Sequence, residues 1–359
     1  MMFKRKLPLI FLAVVLLQSS AFAEDENYLQ MGEAIEITGK TCLLSVCGRG
    51  AVETCNLPGR IGIHIFHPQR VDRLEVPQSF NGEVIGACFD ALFDFVVLST
   101  KSPFGLYVMD LETESVSSVV DSLEQHHAIE ILGVKDRDTI MFATNGEVHL
   151  STKEAVVPIA SYKQRYGVGF LAGSISNQLA AVFPSKASCG AVYILDLVLF
   201  NDEPYKTLEG FQYFGPCAGF AAKADIDSAS GGVAAFVSYF GSESCPQSDA
   251  ILVWTGSGEL LDISHLPNSR NCLDVAISPN SVSALFGTLD DNKLFSKLTV
   301  HSWNISLSEG LVKMPTIEIP LPFAVENALF ESVEDLIIAS SNVKKQLVRF
   351  RRKIGPSKK

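Results

Sequence analysis

The chain has 359 residues, of which 47% are hydrophobic, and a formal net charge of −11 from 29 Lys and Arg against 40 Asp and Glu. A body this acidic repels polyanions, so we expect no nucleic-acid binding by the folded part. Residues 343–359 are the exception, because they hold eight Lys or Arg and no carboxylate. Only this tail has the charge needed to contact an anionic surface.

The N-terminus has the three parts of a secretory signal peptide in the expected order. A basic stretch, Lys4 to Lys6, is followed by an apolar run over residues 7–17 and by Ala21-Phe22-Ala23 before Glu24. The apolar run is too short for a membrane-spanning helix, which needs about 20 residues. The pattern predicts a removable signal peptide at 1–23, a folded domain at 24–350 and a basic tail at 351–359, with the mature protein soluble and secreted or periplasmic.

The cysteine content agrees with export. Eight cysteines are an even number, and in an exported chain they predict up to four disulfides. The tight C-x-x-C pairs of thiolate metal sites are absent, which disfavours zinc. Four cysteines follow one another at intervals of 28, 28 and 27 residues, and these are Cys189, Cys217, Cys245 and Cys272.

The even cysteine spacing belongs to a longer repeat of about 40 to 55 residues. Each copy contains a small-residue strand, a polar turn, an apolar strand, a loop and a third strand, and long amphipathic helical patterns are missing. A first unit occupies residues 41–80 and contains RIGIHIFHPQRVDRLEV. The later units begin near Ala87, Ala128, Gly167, Cys217, Cys272 and Pro322.

Repeats of this length with four short strands predict an all-β chain folded as a β-propeller. Seven units predict seven four-stranded blades. The last unit has three strands of its own, and the segment Ala34–Thr38 is expected to supply the fourth, so that the N-terminus closes the ring and no sheet edge stays free. A six-bladed ring and a pair of β-sandwiches are the alternatives.

Two motifs carry a resemblance to a known family. GLYVMDLETESV and CGAVYILDL resemble the third strand and turn of YVTN-type and lactonase-type propellers, and VAISPNS is similar to a first-strand motif of many propeller repeats. The resemblance implies that two loops on one face bring Cys189 to Cys217 and Cys245 to Cys272, as two disulfides. The pairing of Cys42, Cys47, Cys55 and Cys88 stays open.

In a propeller the first strand of every blade lines a central channel, so acids on these strands become neighbours. Alignment of the first strands puts four carboxylates at similar positions: Asp90, Glu130, Asp274 and Glu326. Lactonase-type propellers hold a central calcium with acidic and amide side chains, so the resemblance implies a calcium or cationic-ligand site here. The simpler interpretation is that polar residues fill a wet channel. No nucleophile motif is present, and we assign no catalytic residue.

Two functions of different classes follow. The first is an exported binding or scaffold module for a protein, glycan or envelope partner, because the predicted loops are long and polar and one region is rich in aromatic residues. The partner-contact candidates form an aromatic cluster in a predicted loop: Tyr205, Phe211, Tyr213 and Phe214. The alternative is that these side chains pack between blades. The alternative is a calcium-assisted hydrolase or lactonase that acts through the four carboxylates.

Overall fold

The structure is a computed structural model. It describes residues 28–37, 41–47, 50–57, 59–66, 71–77, 83–90, 94–101, 104–120, 129–144, 147–161, 170–174, 179–183, 192–199, 206–214, 219–227, 229–239, 249–256, 259–266, 271–306, 308–332 and 336–353. The predicted signal peptide lies outside these ranges. In the part of the chain that is described, no helix has the length and apolar character needed to cross a membrane.

Thirty strands form seven antiparallel sheets in this described part, and we number the sheets as blades 1 to 7 in chain order. Two short N-terminal strands, β1 (Tyr28–Gln30) and β2 (Ile35–Glu36), precede the first blade. Blade 1 contains β3 (Thr41–Cys47), β4 (Gly50–Leu57), β5 (Arg60–Phe66) and β6 (Val71–Pro77). Blade 2 contains β7 (Glu83–Phe89), β8 (Phe95–Lys101), β9 (Gly105–Asp110) and β10 (Val116–Val120).

The next three blades repeat this order of strands. Blade 3 contains β11 (Glu130–Val134), β12 (Ile140–Thr144), β13 (Glu147–Ser151) and β14 (Val156–Ser161). Blade 4 contains β15 (Phe170–Ser174), β16 (Leu179–Phe183), β17 (Val192–Leu199) and β18 (Lys206–Phe214). Blade 5 contains β19 (Gly219–Ile226), β20 (Val233–Tyr239), β21 (Asp249–Trp254) and β22 (Leu260–Leu266).

The last two blades depart slightly from the four-stranded pattern. Blade 6 contains β23 (Cys272–Ser278), β24 (Ser281–Leu289), β25 (Phe295–Ser306), β26 (Gly310–Lys313) and β27 (Ile317–Val325). Both β26 and β27 pair with the long strand β25. Blade 7 contains β28 (Asn327–Ser332), β29 (Leu336–Ser341) and β30 (Gln346–Arg352). Strand β30 therefore extends two residues into the segment predicted as a tail.

The seven sheets form a closed ring. The first strand of each blade contacts the first strand of the next, in the order β3, β7, β11, β15, β19, β23, β28 and back to β3. Blades whose innermost strands surround one axis are the defining arrangement of a β-propeller. The predicted fold class is confirmed, and the number of sheets is the predicted seven.

The N-terminus closes the ring, as the sequence predicted. Strands β1 and β2 both pair with β30, so the outermost strand of blade 7 comes from the beginning of the chain. Ile35 packs into an apolar cluster shared by blades 7 and 1, and the guanidinium of Arg73 in blade 1 donates to the backbone carbonyl of Glu36. Closure of this kind removes the free sheet edge that would otherwise invite pairing with another chain.

The hydrophobic core lies between blades. The cluster between blades 2 and 3, for example, joins Phe95 and Leu106 of blade 2 to Ile140 and Phe142 of blade 3. All residues of β9, β21 and β29 are buried, because these middle strands are covered on both faces. This explains why the sequence shows continuous apolar runs there rather than an alternation with one exposed face.

A buried ion pair connects the ring at its closure point. The Arg349 guanidinium donates to both carboxylate oxygens of Glu331 within blade 7, and it also lies over the Phe66 ring of blade 1, 5.7 Å from the ring centroid. All three side chains are buried. Burial raises the pKa of Glu331, and the contact with Arg349 opposes that shift. The pair therefore depends on both partners being present.

We predict that Arg349→Met lowers the free energy of unfolding by about 3–5 kcal/mol, because it leaves the Glu331 carboxylate buried without its cation. The matched control is Lys297→Met, which breaks the exposed pair between Lys297 and Glu318 and should cost less than about 1 kcal/mol. Denaturant unfolding of both variants measures the difference. Equal costs for the two substitutions would contradict the proposed role of the buried pair.

Candidate functional site

The four predicted channel carboxylates do not share one height along the ring axis. Glu130 and Asp274 each lie four residues before the last residue of their first strands, β11 and β23. Asp90, in contrast, follows the end of β7, and Glu326 precedes the start of β28. Five residues of strand span about 16 Å, so Asp90 and Glu130 lie near different ends of the channel wall.

Asp90 and Glu326 stabilise turns by accepting hydrogen bonds from the backbone. Asp90 is buried, and its Oδ1 accepts backbone N–H groups of Asp94 and Phe95 at 2.7 and 3.1 Å. The Glu326 carboxylate accepts the backbone N–H groups of Asn342 and Val343 at 2.7 and 3.1 Å. These oxygens satisfy backbone donors that the turns leave unpaired.

Asp274 joins two blades. Its Oδ2 accepts the backbone N–H of Phe330 in blade 7 at 2.8 Å, and its Oδ1 accepts that of Val275 at 2.9 Å. A neighbouring acid that the sequence analysis missed, Asp225 of blade 5, accepts the backbone N–H of Ile277 in blade 6 at 3.0 Å. The signal for Asp225 was an acid in a first strand whose other residues, apart from Lys223, are small or apolar.

The surroundings of these carboxyls raise their pKa values. Burial is the main cause in each case, and it raises the pKa of Asp225 to about 7 and that of Asp274 to about 6, although each backbone N–H bond opposes the shift. Glu130 keeps contact with solvent, but the protein packed around its carboxyl limits hydration and raises its pKa to about 7. The channel wall therefore contains several acids that hold protons near neutrality.

The expected four-carboxylate cluster is corrected by this geometry. Among the described residues, one group of at least three His, Cys, Asp or Glu side chains has its ligand atoms within 4.8 Å of one another. It consists of Cys42, Glu53 and Cys55 in blade 1, and it includes none of the four predicted carboxylates. Asp90, Asp274 and Glu326 are each held by backbone N–H groups at different places, and Glu130 lies at the start of its own strand, β11. Calcium binding by this protein stays a prediction, but the four carboxylates do not form one set of ligands.

An opening with described walls lies between blades 2 and 3. It is a cleft of about 490 Å³ on the outer part of the ring. Its lining is mainly polar, and it includes Ser117, Ser118, Arg137, Thr152, Lys153 and Val156. Strands β10 and β14, the outermost strands of the two blades, contribute to the cleft wall, so the cleft follows the junction between neighbouring sheets.

An ion pair fixes the wall of this cleft. The Arg137 guanidinium of blade 3 donates to Asp110 Oδ2 of blade 2, while Asp110 Oδ1 accepts the backbone N–H groups of Glu112 and Thr113 at 2.9 and 2.8 Å. The hydrogen bond from Thr113, together with the contact to Arg137, lowers the pKa of Asp110 to about 2. Asp110 is therefore ionised throughout the physiological range, and the two blades remain joined beside the cleft.

The predicted partner-contact aromatics are placed only in part. Phe211, Tyr213 and Phe214 belong to β18, the outermost strand of blade 4, where the sequence analysis had expected a loop. The reason is that Lys206, Glu209 and Gln212 make the sequence of this strand polar enough to resemble a loop. Their side chains, and the whole of Tyr205, lie outside the described part of the chain.

The disulfide predictions have different outcomes. Cys42 and Cys55 are bonded to each other, and Cys88 is disulfide-bonded as well. Cys272 has a free thiol, so the structure does not form the bond predicted between Cys245 and Cys272. Cys245 lies outside the described residues, as do Cys189 and Cys217, whose pairing stays a prediction.

Comparison with known proteins supports the fold. A chain from a crystal structure of a mitotic checkpoint complex matches with a TM-score of 0.57 and 12% sequence identity, over 99% of this chain and 98% of that chain. At this identity the likeness shows the propeller fold alone. No protein-family model matches the sequence, and no curated protein matches it.

We predict that Asp225 and Asp274 make the protein less stable as the pH rises. Their carboxyls have an ordinary pKa of 3.8 when unfolded, so the folded state holds their protons more tightly between about pH 4 and pH 7. The stability that they contribute is complete below pH 3.8 and is lost as the pH rises through 6 to 7. The double variant Asp225→Asn, Asp274→Asn keeps an acceptor oxygen and removes this titration.

Thermal unfolding by circular dichroism from pH 4 to pH 8 at constant ionic strength measures the effect. The decline in Tm should be smaller in the double variant than in the wild type, while Asp291→Asn at an exposed turn should match the wild type. Parallel Tm profiles for the wild type and the double variant would show that the two channel acids do not titrate as described.

Proposed function

We propose that the protein is an exported scaffold that binds a protein partner in the cleft between blades 2 and 3. The observation that carries the proposal is this polar opening of about 490 Å³ between two blades that Arg137 and Asp110 hold together. β-Propellers commonly present such rigid surfaces to other proteins, and the matched propeller chain comes from a structure of a protein complex. No reaction is needed to explain the cleft.

The chemistry of the cleft favours a polypeptide. Hydroxyl groups of Ser117, Ser118 and Thr152 can exchange hydrogen bonds with backbone amides, and Lys153 adds a positive charge near the negative charge of Glu154. Val156 and Val157 at the start of β14 are 40% and 41% exposed, which supplies apolar contact area beside the polar lining. A mixture of hydroxyls, both charges and exposed valines is suited to a protein segment rather than to a uniformly charged polymer.

Two features support export. The N-terminal sequence has the basic, apolar and small-residue parts of a signal peptide. The bond between Cys42 and Cys55, together with the bonded Cys88, is the kind of cross-link that persists in oxidising compartments. We therefore propose that the scaffold is secreted or periplasmic.

The alternative function, a calcium-assisted hydrolase, requires the four predicted carboxylates to form one site. Two of them, Asp90 and Glu326, instead accept backbone N–H groups in turns. Asp274 accepts a backbone N–H group of the next blade. The scaffold is the function that the geometry favours.

A pair of matched variants tests the cleft. Ser118→Trp with Lys153→Glu fills the cleft and reverses its positive charge, and Ser296→Trp with Lys313→Glu makes the same changes on exposed positions of blade 6. Proteins cross-linked to the wild type in its native source are identified by quantitative mass spectrometry, and the leading partner is then purified. We expect its Kd to rise at least tenfold with the cleft variant and to stay unchanged with the blade 6 variant.

Two results would contradict this proposal. One is a partner whose Kd is the same for both variants, which would place the binding surface elsewhere. The other is turnover of an ester or lactone substrate by the purified protein that is abolished by the cleft variant, which would assign the cleft to an enzyme. Unfolding curves of both variants serve as the control for folding.

A further inference from the structure

Blade 1 contains four side chains with metal-binding chemistry on one face of its sheet. Glu53 and Cys55 are two residues apart on β4, so they point to the same side. Cys42 of β3 is the direct cross-strand partner of Cys55, and His64 of β5 is that of Glu53. Direct partners in an antiparallel sheet lie side by side on the same face. The strand register therefore groups Cys42, Glu53, Cys55 and His64.

The distances agree with a shared site. The two sulfur atoms and one carboxylate oxygen of Glu53 lie within 4.8 Å of one another. His64 Nδ1 lies 3.0 Å from Glu53 Oε2. Glu53 and Cys55 are each 1% exposed and His64 is 6% exposed, whereas Cys42 is only partly buried and gives the group a side that faces outward.

One atom of this group lacks a partner. Glu53 Oε1 is buried and has no hydrogen bond, although the other oxygen of the same carboxylate is bonded to His64. A buried carboxylate oxygen without a donor costs free energy, so a chain normally provides a donor or a cation for it. The sulfurs of a disulfide supply neither. The Glu53 carboxylate, which has an oxygen without a donor, therefore lies in one group with two sulfurs and is able to bind a cation.

We propose that reduction of the bond between Cys42 and Cys55 converts this group into a zinc site. Two thiolates and the Glu53 carboxylate would supply three ligands, and His64 would hold the second carboxylate oxygen, as outer partners of metal ligands commonly do. Zinc is the metal chosen because it accepts thiolate and carboxylate ligands together in a tetrahedral site, and the three protein ligands leave the fourth position for water. The bond between the two cysteines then acts as an oxidative block on metal binding.

The chemical steps balance. A dithiol donor gives two electrons and two protons, the bond between the two sulfurs breaks, two thiols form, and the donor becomes a disulfide. Zinc then displaces the two thiol protons into solvent and binds the two thiolates. In the reverse sequence a disulfide accepts two electrons from the two thiolates and, with two protons from solvent, becomes a dithiol, while the bond between Cys42 and Cys55 re-forms and zinc is released. The site is thus available only where a thiol reductant reaches the partly exposed Cys42.

Zinc binding to the whole protein tests the proposal. Two samples of the wild type are prepared, one oxidised and one reduced with a phosphine and desalted anaerobically. Both are dialysed against zinc, and the zinc bound per chain is then determined by mass spectrometry. Because reduction also frees other thiols, the reference is Cys42→Ser, Cys55→Ser treated in the same way. We expect the reduced wild type to hold one more zinc per chain than this double variant, and the oxidised wild type to lack that zinc.

The carboxylate is tested separately. Glu53→Gln should weaken zinc binding to the reduced protein at least tenfold in competition with a chromophoric chelator, whereas Glu75→Gln, at an exposed acid of the same blade, should not change it. Cobalt absorption of the reduced wild type should show thiolate coordination. The same zinc content in the reduced wild type and the double-cysteine variant would overturn the site, and so would equal affinity of wild type and Glu53→Gln. The comparison of oxidised with reduced wild type keeps the test valid if a variant does not fold.

Discussion

Each blade of this protein buries its sheet faces only against neighbouring blades, and the rest of the structure depends on that constraint. An isolated four-stranded sheet would leave at least one apolar face in water. In the ring, middle strands such as β9, β21 and β29 are covered on both sides, and apolar clusters form at the junctions between sheets. The hydrophobic effect therefore acts between blades, and it requires the ring to be complete.

Ring closure is the point at which this requirement is hardest to meet, because the first and last blades are far apart in sequence. The structure meets it with the N-terminal strands β1 and β2, which pair with β30 and complete blade 7. Polar contacts then reinforce the junction, since Arg349 joins Glu331 in blade 7 and lies over Phe66 in blade 1. Backbone pairing, apolar packing and a buried charge thus meet at one junction.

Polar side chains on the first strands have a related task. A twisted blade cannot pair its first strand with the first strand of the next blade along its length, so some backbone N–H groups face the junction without a strand partner. Asp225 and Asp274 accept such groups across two successive junctions. Acids that are needed to satisfy the backbone are poorly available to hold a substrate or an ion. This is why the channel wall is acidic although it contains no converged cluster among the described residues.

The outer rim offers more freedom than the channel. The fourth strand β10, for example, has no buried residue, so its side chains can vary without disturbing the buried junctions. The cleft between blades 2 and 3 lies in this region, where the ion pair of Arg137 with Asp110 adds to the apolar cluster that joins the two blades. Blade 1 shows a different use of the same fold, because direct cross-strand pairing of Cys42 with Cys55 brings two sulfurs beside a buried carboxylate.

The sequence by itself determined the architecture of this protein. The repeat of 40 to 55 residues with short apolar strands predicted the propeller, its seven sheets and the closing N-terminal strand, because strand order and blade length are local properties of the chain. Only the tertiary structure decided which polar groups meet. A shift of a few residues along a strand moves a carboxylate by several ångströms, so an approximate alignment placed Asp90 and Glu326 beside Glu130 and Asp274 although their hydrogen bonds hold them in turns. The pairing of Cys42 with Cys55 and the role of Asp225 likewise depend on the register between strands and between blades, which the spacing of residues along the chain does not specify.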